Sequence, residues 1–215
     1  MKSLQKNFLY NVLYQILLVI LPLITAPYIS RTLGATAVGV YSYTYSVAYY
    51  FLLIAMLGIG NHGNRSIAAV RDDRKKLNKT FSSIYSLQVI TFSIAILAYA
   101  IYLVLFVKDN RLIVLLQLIY VTSGLFDIGW LFFGLEQFKL TVARNTLIKI
   151  STVVLMFVFV HKPSDLWKYT LIMSAGTLFS QAYLWLYVKK YVSFEKCSVK
   201  NKSSYAFVNS LLQRR

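Results

Sequence analysis

The residues of this sequence that could do chemistry are few and far apart. Six of them form the string GIGNHG at 58–63, which satisfies the G-x-G-x-x-G pattern of dinucleotide-binding loops. That pattern requires a preceding strand and an acidic residue about 20 positions later. Here an apolar run long enough for a membrane helix precedes the string and the acidic residue is missing. The string therefore predicts the end of a helix followed by a turn.

The scarcity of histidine and cysteine argues against metal binding and nucleophilic catalysis. The sequence has two histidines, His62 and His161, and no H-E-x-x-H or G-x-S-x-G motif. Its one cysteine, Cys197, lies in a polar basic segment without a histidine nearby. The sequence predicts no enzyme, no metal site and no cofactor.

Asp127 and Lys149 are the ionisable residues that lie deepest in apolar sequence. The predicted turn between their helices is centred on Phe138, so both residues are equally far from it and would lie at similar depth. A charge near the centre of a membrane costs about 2.5–3.5 kcal/mol on insertion scales, and pairing offsets part of that cost. We expect an ion pair, with a coupling or substrate role, or snorkelling by Lys149, as alternatives.

The composition places these residues in a membrane protein. Apolar residues make up 58% of the chain and charged residues 14%, with a mean hydropathy of +0.59, whereas soluble domains have about 45–50% and about 25%. A net charge of +16 would indicate nucleic acid if the cations formed one surface patch. They lie instead between apolar runs, so no nucleic-acid partner is predicted.

Six apolar segments reach the length of about 20 residues that spans a bilayer. They predict an all-α six-helix bundle over 1–190, with spans at 8–30, 38–60, 81–107, 112–135, 141–160 and 166–188. The first span is longer than the apolar core of a signal peptide, about 7–15 residues, and is read as a retained helix. Residues 191–215 form a polar basic tail.

Basic residues fix the predicted orientation, because loops rich in Lys and Arg stay in the cytoplasm. With the N-terminus inside, the inner segments hold eighteen of the 23 basic residues and the outer loops hold five: Arg31, Lys108, Arg111, Lys162 and Lys168. The sequence therefore predicts a multi-pass protein of the cytoplasmic membrane with both termini in the cytoplasm.

Polar residues recur at helical spacing in several of these spans, which marks faces turned away from lipid. Such faces serve either hydrogen bonding between helices or a shared hydrophilic cavity. The first span is also interrupted by Pro22 and Pro27, which mark either a hinge or a static bend. The stripes contain Asn7, Asn11 and Gln15; Tyr41, Tyr45 and Tyr49; Tyr120, Ser123, Asp127 and Trp130; Asn145, Lys149 and Thr152; and Thr170, Ser174, Thr177 and Gln181.

Four strings give the sequence a recognisable family character. They are NVLYQILLVILPLITAPYISRTLGATAVGVYSYTYSV at 11–47, LGIGNHGNRSIAAVRDD at 57–73, DIGWLFFGLEQFK at 127–139 and RNTLIK at 144–149. Together they resemble bacterial flippases of oligosaccharide repeat units for O-antigen, capsule and exopolysaccharide. These flippases belong to the multidrug, oligosaccharidyl-lipid and polysaccharide exporter superfamily.

The resemblance implies a transporter that moves undecaprenyl-diphosphate-linked oligosaccharide to the outer leaflet by alternating access between two six-helix lobes. Their shared cavity is hydrophilic and usually cationic. By position, Arg31 and Lys149 are candidates for contact with the diphosphate, although Arg31 also fits a helix-end residue at the outer headgroups. The full set of cavity candidates is Asn7, Asn11, Gln15, Arg31, Tyr41, Tyr45, Tyr49, Asp127, Lys149 and Gln181.

The length of the chain departs from this family, whose members have 12 to 14 spans. We therefore expect one lobe, as a truncated or half transporter whose partner is a second half or a second copy of itself. We also expect the family resemblance to end near residue 195. A multidrug exporter lobe and a non-transporting membrane scaffold are the alternatives.

The charge distribution predicts that the segment from Arg65 to Lys79 faces the cytoplasm. A single cysteine at Asp73, in a background that lacks Cys197, should resist an impermeant thiol reagent in intact cells and react after the cells are permeabilised. A cysteine at Lys162 serves as the accessible control. Labelling of the Asp73 position from outside would contradict the topology.

Overall fold

The computed structural model describes residues 2–193, apart from the side chains of residues 2–18, 138 and 139. Within that part the chain is all-helical and has no strand. Two 3-10 turns, Gly124–Phe126 and Pro163–Asp165, separate α4 from α5 and α6 from α7. The α-helices are α1 (Lys2–Met56), α2 (Ile59–Val70), α3 (Arg74–Leu105), α4 (Arg111–Ser123), α5 (Gly129–Gly134), α6 (Phe138–Phe159) and α7 (Leu166–Tyr191).

Five stretches of the described chain are long and apolar enough to cross a membrane. They are Val19–Val70, Arg74–Leu105, Arg111–Gly134, Leu140–Phe159 and Pro163–Tyr191. The last four correspond to the third to sixth predicted spans. The predicted first and second spans are not separate helices, because α1 and α2 run through both of them.

Gly34 explains why the two predicted spans join without a loop. Its backbone (φ 78°, ψ 165°) is the one non-helical conformation inside α1, so α1 consists of two helical stretches that meet at a single residue. Glycine adopts a positive φ at little cost because it has no Cβ. Pro22 and Pro27, where the sequence predicts an interruption, keep helical torsions.

The packing of α2 against α5 accounts for the string GIGNHG. Gly58 has a φ of 74° and interrupts the helical conformation between α1 and α2, which confirms the predicted helix end and turn. A Cβ at Gly63 would lie 2.7 Å from the ring of Trp130, and a Cβ at Gly134 would lie 2.7 Å from Ile67. Real Cβ atoms do not approach so closely, so these two glycines let the helices touch.

Two buried clusters hold the bundle together at opposite ends. The larger cluster joins α2, α3, α5 and α7 at the end that the predicted topology places inside, and it includes Ile67, Phe81, Leu131 and Val188. The other cluster packs Ile29 and Leu33 of α1 on Met156 and Val160 of α6. There the Tyr28 hydroxyl donates to the Val160 carbonyl at 2.6 Å, so the end of the first stretch of α1 is docked on the end of α6.

Gly63→Ala should destabilise the protein, because the added methyl group collides with Trp130. Overpacking of this kind costs about 1–3 kcal/mol. Gly39→Ala is the matched control, since a Cβ at Gly39 meets nothing within 4 Å. Thermal unfolding in detergent should show a lower midpoint for Gly63→Ala alone, and equal midpoints for both variants would contradict the contact.

Candidate functional site

Tyrosines from three helices meet in the half of the bundle that contains the α6–α7 connection. Tyr41, Tyr45 and Tyr49 stack along α1, with ring centroids 5.8 Å and 6.3 Å apart. The Tyr41 ring lies edge-on to Tyr169 of α7 at 4.7 Å. The Tyr45 ring lies 5.0 Å from that of Tyr120 of α4, and their hydroxyl oxygens are 3.3 Å apart. The predicted α1 stripe therefore fastens α1 to α4 and α7.

Beside this cluster, α1 presents hydroxyl groups on its exposed side. We define the hydroxyl face of α1 as Ser42, Tyr43, Ser46, Tyr49 and Tyr50, all of which are exposed. Tyr43, Tyr49 and Tyr50 have exposed fractions of 66%, 43% and 63%. A hydroxyl-rich surface on a membrane helix is costly when it faces lipid. The hydroxyl face is thus suited to water, a polar ligand or a second protein surface.

A second polar cluster lies between α6 and α7. The Arg144 guanidinium donates to the Gln181 side-chain oxygen at 3.0 Å and to the Ser180 carbonyl at 3.2 Å. It also donates twice to the Asn145 oxygen, at 2.8 Å and 3.1 Å. Arg144 is buried, and these contacts satisfy a charge that would otherwise be costly at this position. Gln181, a predicted cavity residue, therefore fixes this arginine.

Asp127 does not pair with Lys149, so the predicted ion pair is wrong. Among the described residues no ion pair joins them, and the cation whose charge acts on the Asp127 carboxylate is Arg144. The Asp127 carboxylate also accepts from the Gly129 N–H at 3.0 Å. Lys149 is exposed. It lies five residues beyond Arg144, which is about 140° around α6. Lys149 therefore does not face Asp127, although the two residues were predicted to lie at equal depth.

The helix around Asp127 is broken, and side chains satisfy the backbone there. Gln88 of α3 is fully buried, and its amide nitrogen donates to the carbonyls of Gly124 and Asp127, each at 2.8 Å. The Gln88 oxygen accepts from the Trp130 indole at 3.0 Å. The Trp185 indole of α7 donates to the Phe126 carbonyl at 3.0 Å. Broken helices are tolerated at membrane depth when such contacts replace the lost helical bonds.

The other predicted site residues are not gathered at one point. Arg31 and Lys149 are exposed, on α1 and α6. The side chains of Asn7, Asn11 and Gln15 lie outside the described residues, so their cavity role stays a prediction.

Sequence reasoning missed the two residues that organise the polar interior, Gln88 and Arg144. Gln88 is a single amide in an apolar span and belongs to no stripe. Arg144 was counted with the inner basic residues that orient the chain, although its place in the string RNTLIK was a signal that could have singled it out.

These features define a multi-pass helical membrane protein with a polar interior and a hydroxyl face. The family described as "Polysaccharide biosynthesis protein" matches residues 4–211, and the chain belongs to this family. This confirms the resemblance carried by the four strings. The match also continues past residue 195 into the tail, so the expected end of the resemblance is wrong.

Two relatives carry the name "Putative O-antigen transporter". The chain is 25% identical over 166 residues to the one from Escherichia coli strain K12 and 26% identical over 147 residues to the one from Shigella dysenteriae. The alignments cover 76% and 67% of this chain, but 40% and 37% of the relatives. The chain thus spans less than half the length of the curated relatives it matches. No solved structure matches it significantly.

Gln88→Leu should destabilise the protein strongly, because it leaves the Asp127 carbonyl and the Trp130 indole N–H without their partner. The Gly124 carbonyl keeps the Asp127 N–H at 3.2 Å. Each buried unpaired group costs about 1–3 kcal/mol, so a loss of roughly 2 kcal/mol or more in the free energy of unfolding is expected. The unfolding midpoint in detergent and the emission of Trp130 report the change.

Gln117→Leu is the matched control for this substitution. Gln117 is also a fully buried membrane glutamine. Its amide nitrogen has no partner among the described residues, and its oxygen receives one long bond of 3.4 Å from Ser174. Its replacement should cost little or even stabilise the protein. Equal losses for the two variants would contradict the role given to Gln88.

Proposed function

We propose that this chain forms one lobe of a flippase that moves undecaprenyl-diphosphate-linked oligosaccharide across the bacterial cytoplasmic membrane for surface polysaccharide synthesis. Membership of the polysaccharide biosynthesis family supports the substrate class. The observation that carries the proposal is the hydroxyl face of α1, a polar surface on a stretch that is long and apolar enough to cross a membrane.

The chemistry of this face fits a sugar chain. Serine and tyrosine hydroxyls both donate and accept hydrogen bonds, as sugar hydroxyls do. The exposed rings of Tyr49 and Tyr50 add flat apolar surfaces that match the C–H faces of sugar rings. Because hydroxyl groups make many weak and interchangeable hydrogen bonds, such a surface suits a substrate that must slide past it.

The anionic end of the substrate needs cations, and one is exposed on α1 and another on α6. In the proposed cycle Arg31 of α1 and Lys149 of α6 meet the diphosphate. A charge-assisted hydrogen bond to phosphate is about twice as strong as a neutral one. Arg144 is unsuited to this role because its guanidinium is engaged by α7.

The proposed topology has six crossings with both termini in the cytoplasm. Helix α1 has 55 residues, which at 1.5 Å per residue is about 80 Å, far more than the bilayer core of about 30 Å. The break at Gly34 divides it into two stretches, each long enough to cross once. The positions of the basic residues support the orientation.

The hydroxyl face further requires an opposite wall. In alternating access two bodies rock about a site between them, and this chain supplies one of the two. We propose that the second body is another six-to-eight-helix lobe, or a second copy of this one related by an axis along the membrane normal. Either would remove the hydroxyl face from lipid.

The proposal is tested by complementation of a strain that lacks its repeat-unit flippase. This chain should restore surface polysaccharide when produced together with a C-terminal six-to-eight-helix half, and not when produced alone. Restoration by this chain alone would favour a functional homodimer over a half transporter. Failure of every combination with a matching repeat unit would contradict the proposed function.

Within that assay, Ser46→Leu should lower transport at least tenfold, because it places an apolar side chain on the hydroxyl face. Ser93→Leu on α3 is the matched control. Both serines are exposed, and both donate to the carbonyl four residues earlier, at 2.8 Å and 2.7 Å. Ser93 is surrounded by the exposed apolar residues Ile90, Ile94 and Leu97. Equal effects at equal protein levels would exclude the hydroxyl face as the sugar path.

A further inference from the structure

A cavity opens between the end of α3 and the start of α4. It has a volume of about 260 Å³ and is lined by Leu103, Val104, Arg111, Leu112 and Leu115. Val104, Leu112 and Leu115 have exposed fractions of 71%, 53% and 47%. The walls therefore belong to the outer surface of the bundle, which faces lipid, and not to its interior. We call this feature the α3–α4 cavity.

Contacts between the two helices hold the walls of the α3–α4 cavity in place. The Tyr99 hydroxyl of α3 donates to the Val114 carbonyl of α4 at 2.9 Å. Val107, in the connection between the helices, is buried in the same cluster as Tyr99 and Val114. The cavity is thus formed before anything enters it, as is usual for binding pockets.

Arg111 supplies the charge of the α3–α4 cavity. Its Nε donates to the Val107 carbonyl at 2.8 Å, which fixes the guanidinium. Among the described residues no carboxylate lies within 4 Å of it, not even that of the nearby Asp109. A cation at the first residue of a helix opposes the positive end of the helix dipole, so helix stability does not account for Arg111. The two terminal NH₂ groups are left available to an anion.

The connection between the helices gives the depth of the α3–α4 cavity. Residues 108–110 are Lys, Asp and Asn, all exposed, and they join the membrane stretches that end at Leu105 and begin at Arg111. Such a polar, non-helical segment must lie outside the hydrocarbon. Arg111 therefore lies at the headgroup layer, and Leu115, one turn further along α4, lies about 6 Å deeper. The cavity runs from a cation at the headgroups into the acyl-chain region.

We propose that the α3–α4 cavity binds one phospholipid of the surrounding bilayer, with part of an acyl chain between its apolar walls and the phosphodiester on Arg111. A planar guanidinium can bond two oxygens of one phosphate. The volume is below the range of about 300–1,000 Å³ that takes a whole small molecule, so it fits a segment of an acyl chain. This site does not depend on the proposed transport function.

The juxtaposition of cation and cavity, and not charge alone, defines this site. Lys108 is also exposed and lies three residues before Arg111, but it does not line the cavity. Arg111→Gln should therefore weaken the binding of a phospholipid about tenfold, the order expected for the loss of a charge-assisted hydrogen bond. Lys108→Gln removes the same charge from the same connection and should leave the binding unchanged.

The test titrates the full chain in detergent micelles with phosphatidylglycerol that carries a diazirine in one acyl chain. After irradiation, mass spectrometry of peptides locates and counts the attached lipid. Labelling should saturate at one lipid per chain and lie within residues 103–115. A diacylglycerol with the same diazirine chain lacks the phosphate and should bind about tenfold more weakly. Inorganic phosphate should not displace the phospholipid, because it cannot occupy the apolar walls.

A second pair of variants tests the apolar part of the α3–α4 cavity. Val104→Trp should fill the cavity and abolish the saturable labelling. Leu97→Trp is the matched control, since Leu97 lies two turns earlier on the same exposed face of α3 and does not line the cavity. Both side chains are exposed, at 71% and 64%, so neither substitution disturbs the buried core.

Several outcomes would overturn the proposal. These are equal losses for Arg111→Gln and Lys108→Gln, equal labelling of Val104→Trp and Leu97→Trp, labelling that rises without saturation, equal binding of the diacylglycerol, and displacement by inorganic phosphate. None of these readouts involves sugar transport, so failure here leaves the proposed function standing.

Discussion

In hydrocarbon, a backbone carbonyl that leaves its helix must find another partner, because there is no water to replace the lost hydrogen bond. This constraint governs the segment between α4 and α5, where the chain is non-helical at the depth of Asp127. The buried amide of Gln88 bonds the carbonyls of Gly124 and Asp127, and the indole of Trp185 bonds that of Phe126. Through these contacts α3, α4, α5 and α7 are held in one arrangement.

The remaining polar groups divide into two kinds. Those between helices are satisfied by specific partners, as in the Arg144 cluster and in the contact between Tyr45 and Tyr120. Those on the hydroxyl face of α1 are exposed, although Tyr43 also bonds Tyr102 of α3 and Tyr49 stacks on Tyr45. The same helix therefore has an inward tyrosine side that provides cohesion and an outward hydroxyl side that is available to a partner or ligand. Helix contact accounts for the inward side of α1, and a role in a cavity wall stays a prediction for the outward side.

Much of the fold could be predicted from the sequence, because four of the membrane helices are marked by predominantly apolar runs of the required length. The joint at Gly34 could not be predicted, because the sequence around it resembles an ordinary loop. The two helical stretches of α1 follow one another directly because Gly34 alone has non-helical torsions. The pairing of Asp127 with Lys149 failed for a related reason. Distance from a turn gives depth in a straight hairpin, but the break after Ser123 and the rotation of α6 decide which cation faces the carboxylate.

Helical spacing alone identifies the stripe of Tyr41, Tyr45 and Tyr49 as one face of α1, and in the structure Tyr41 and Tyr45 contact α7 and α4. Which neighbour that face meets depends on the packing of α4 and α7, and spacing carries no information about it. Gln88 was missed for the opposite reason. It acts alone, and its importance comes from carbonyls 36 and 39 residues away in the chain.

The single-residue joint in α1 also has a mechanical consequence. A loop of several residues lets two helices slide along their axes as well as tilt, whereas Gly34 offers only its own two torsions. The first stretch of α1 can therefore swing or twist relative to the second, but it cannot move away from it. Because the residues just before the joint are docked on the end of α6, a rotation at Gly34 would carry that end of α6 together with the first stretch of α1.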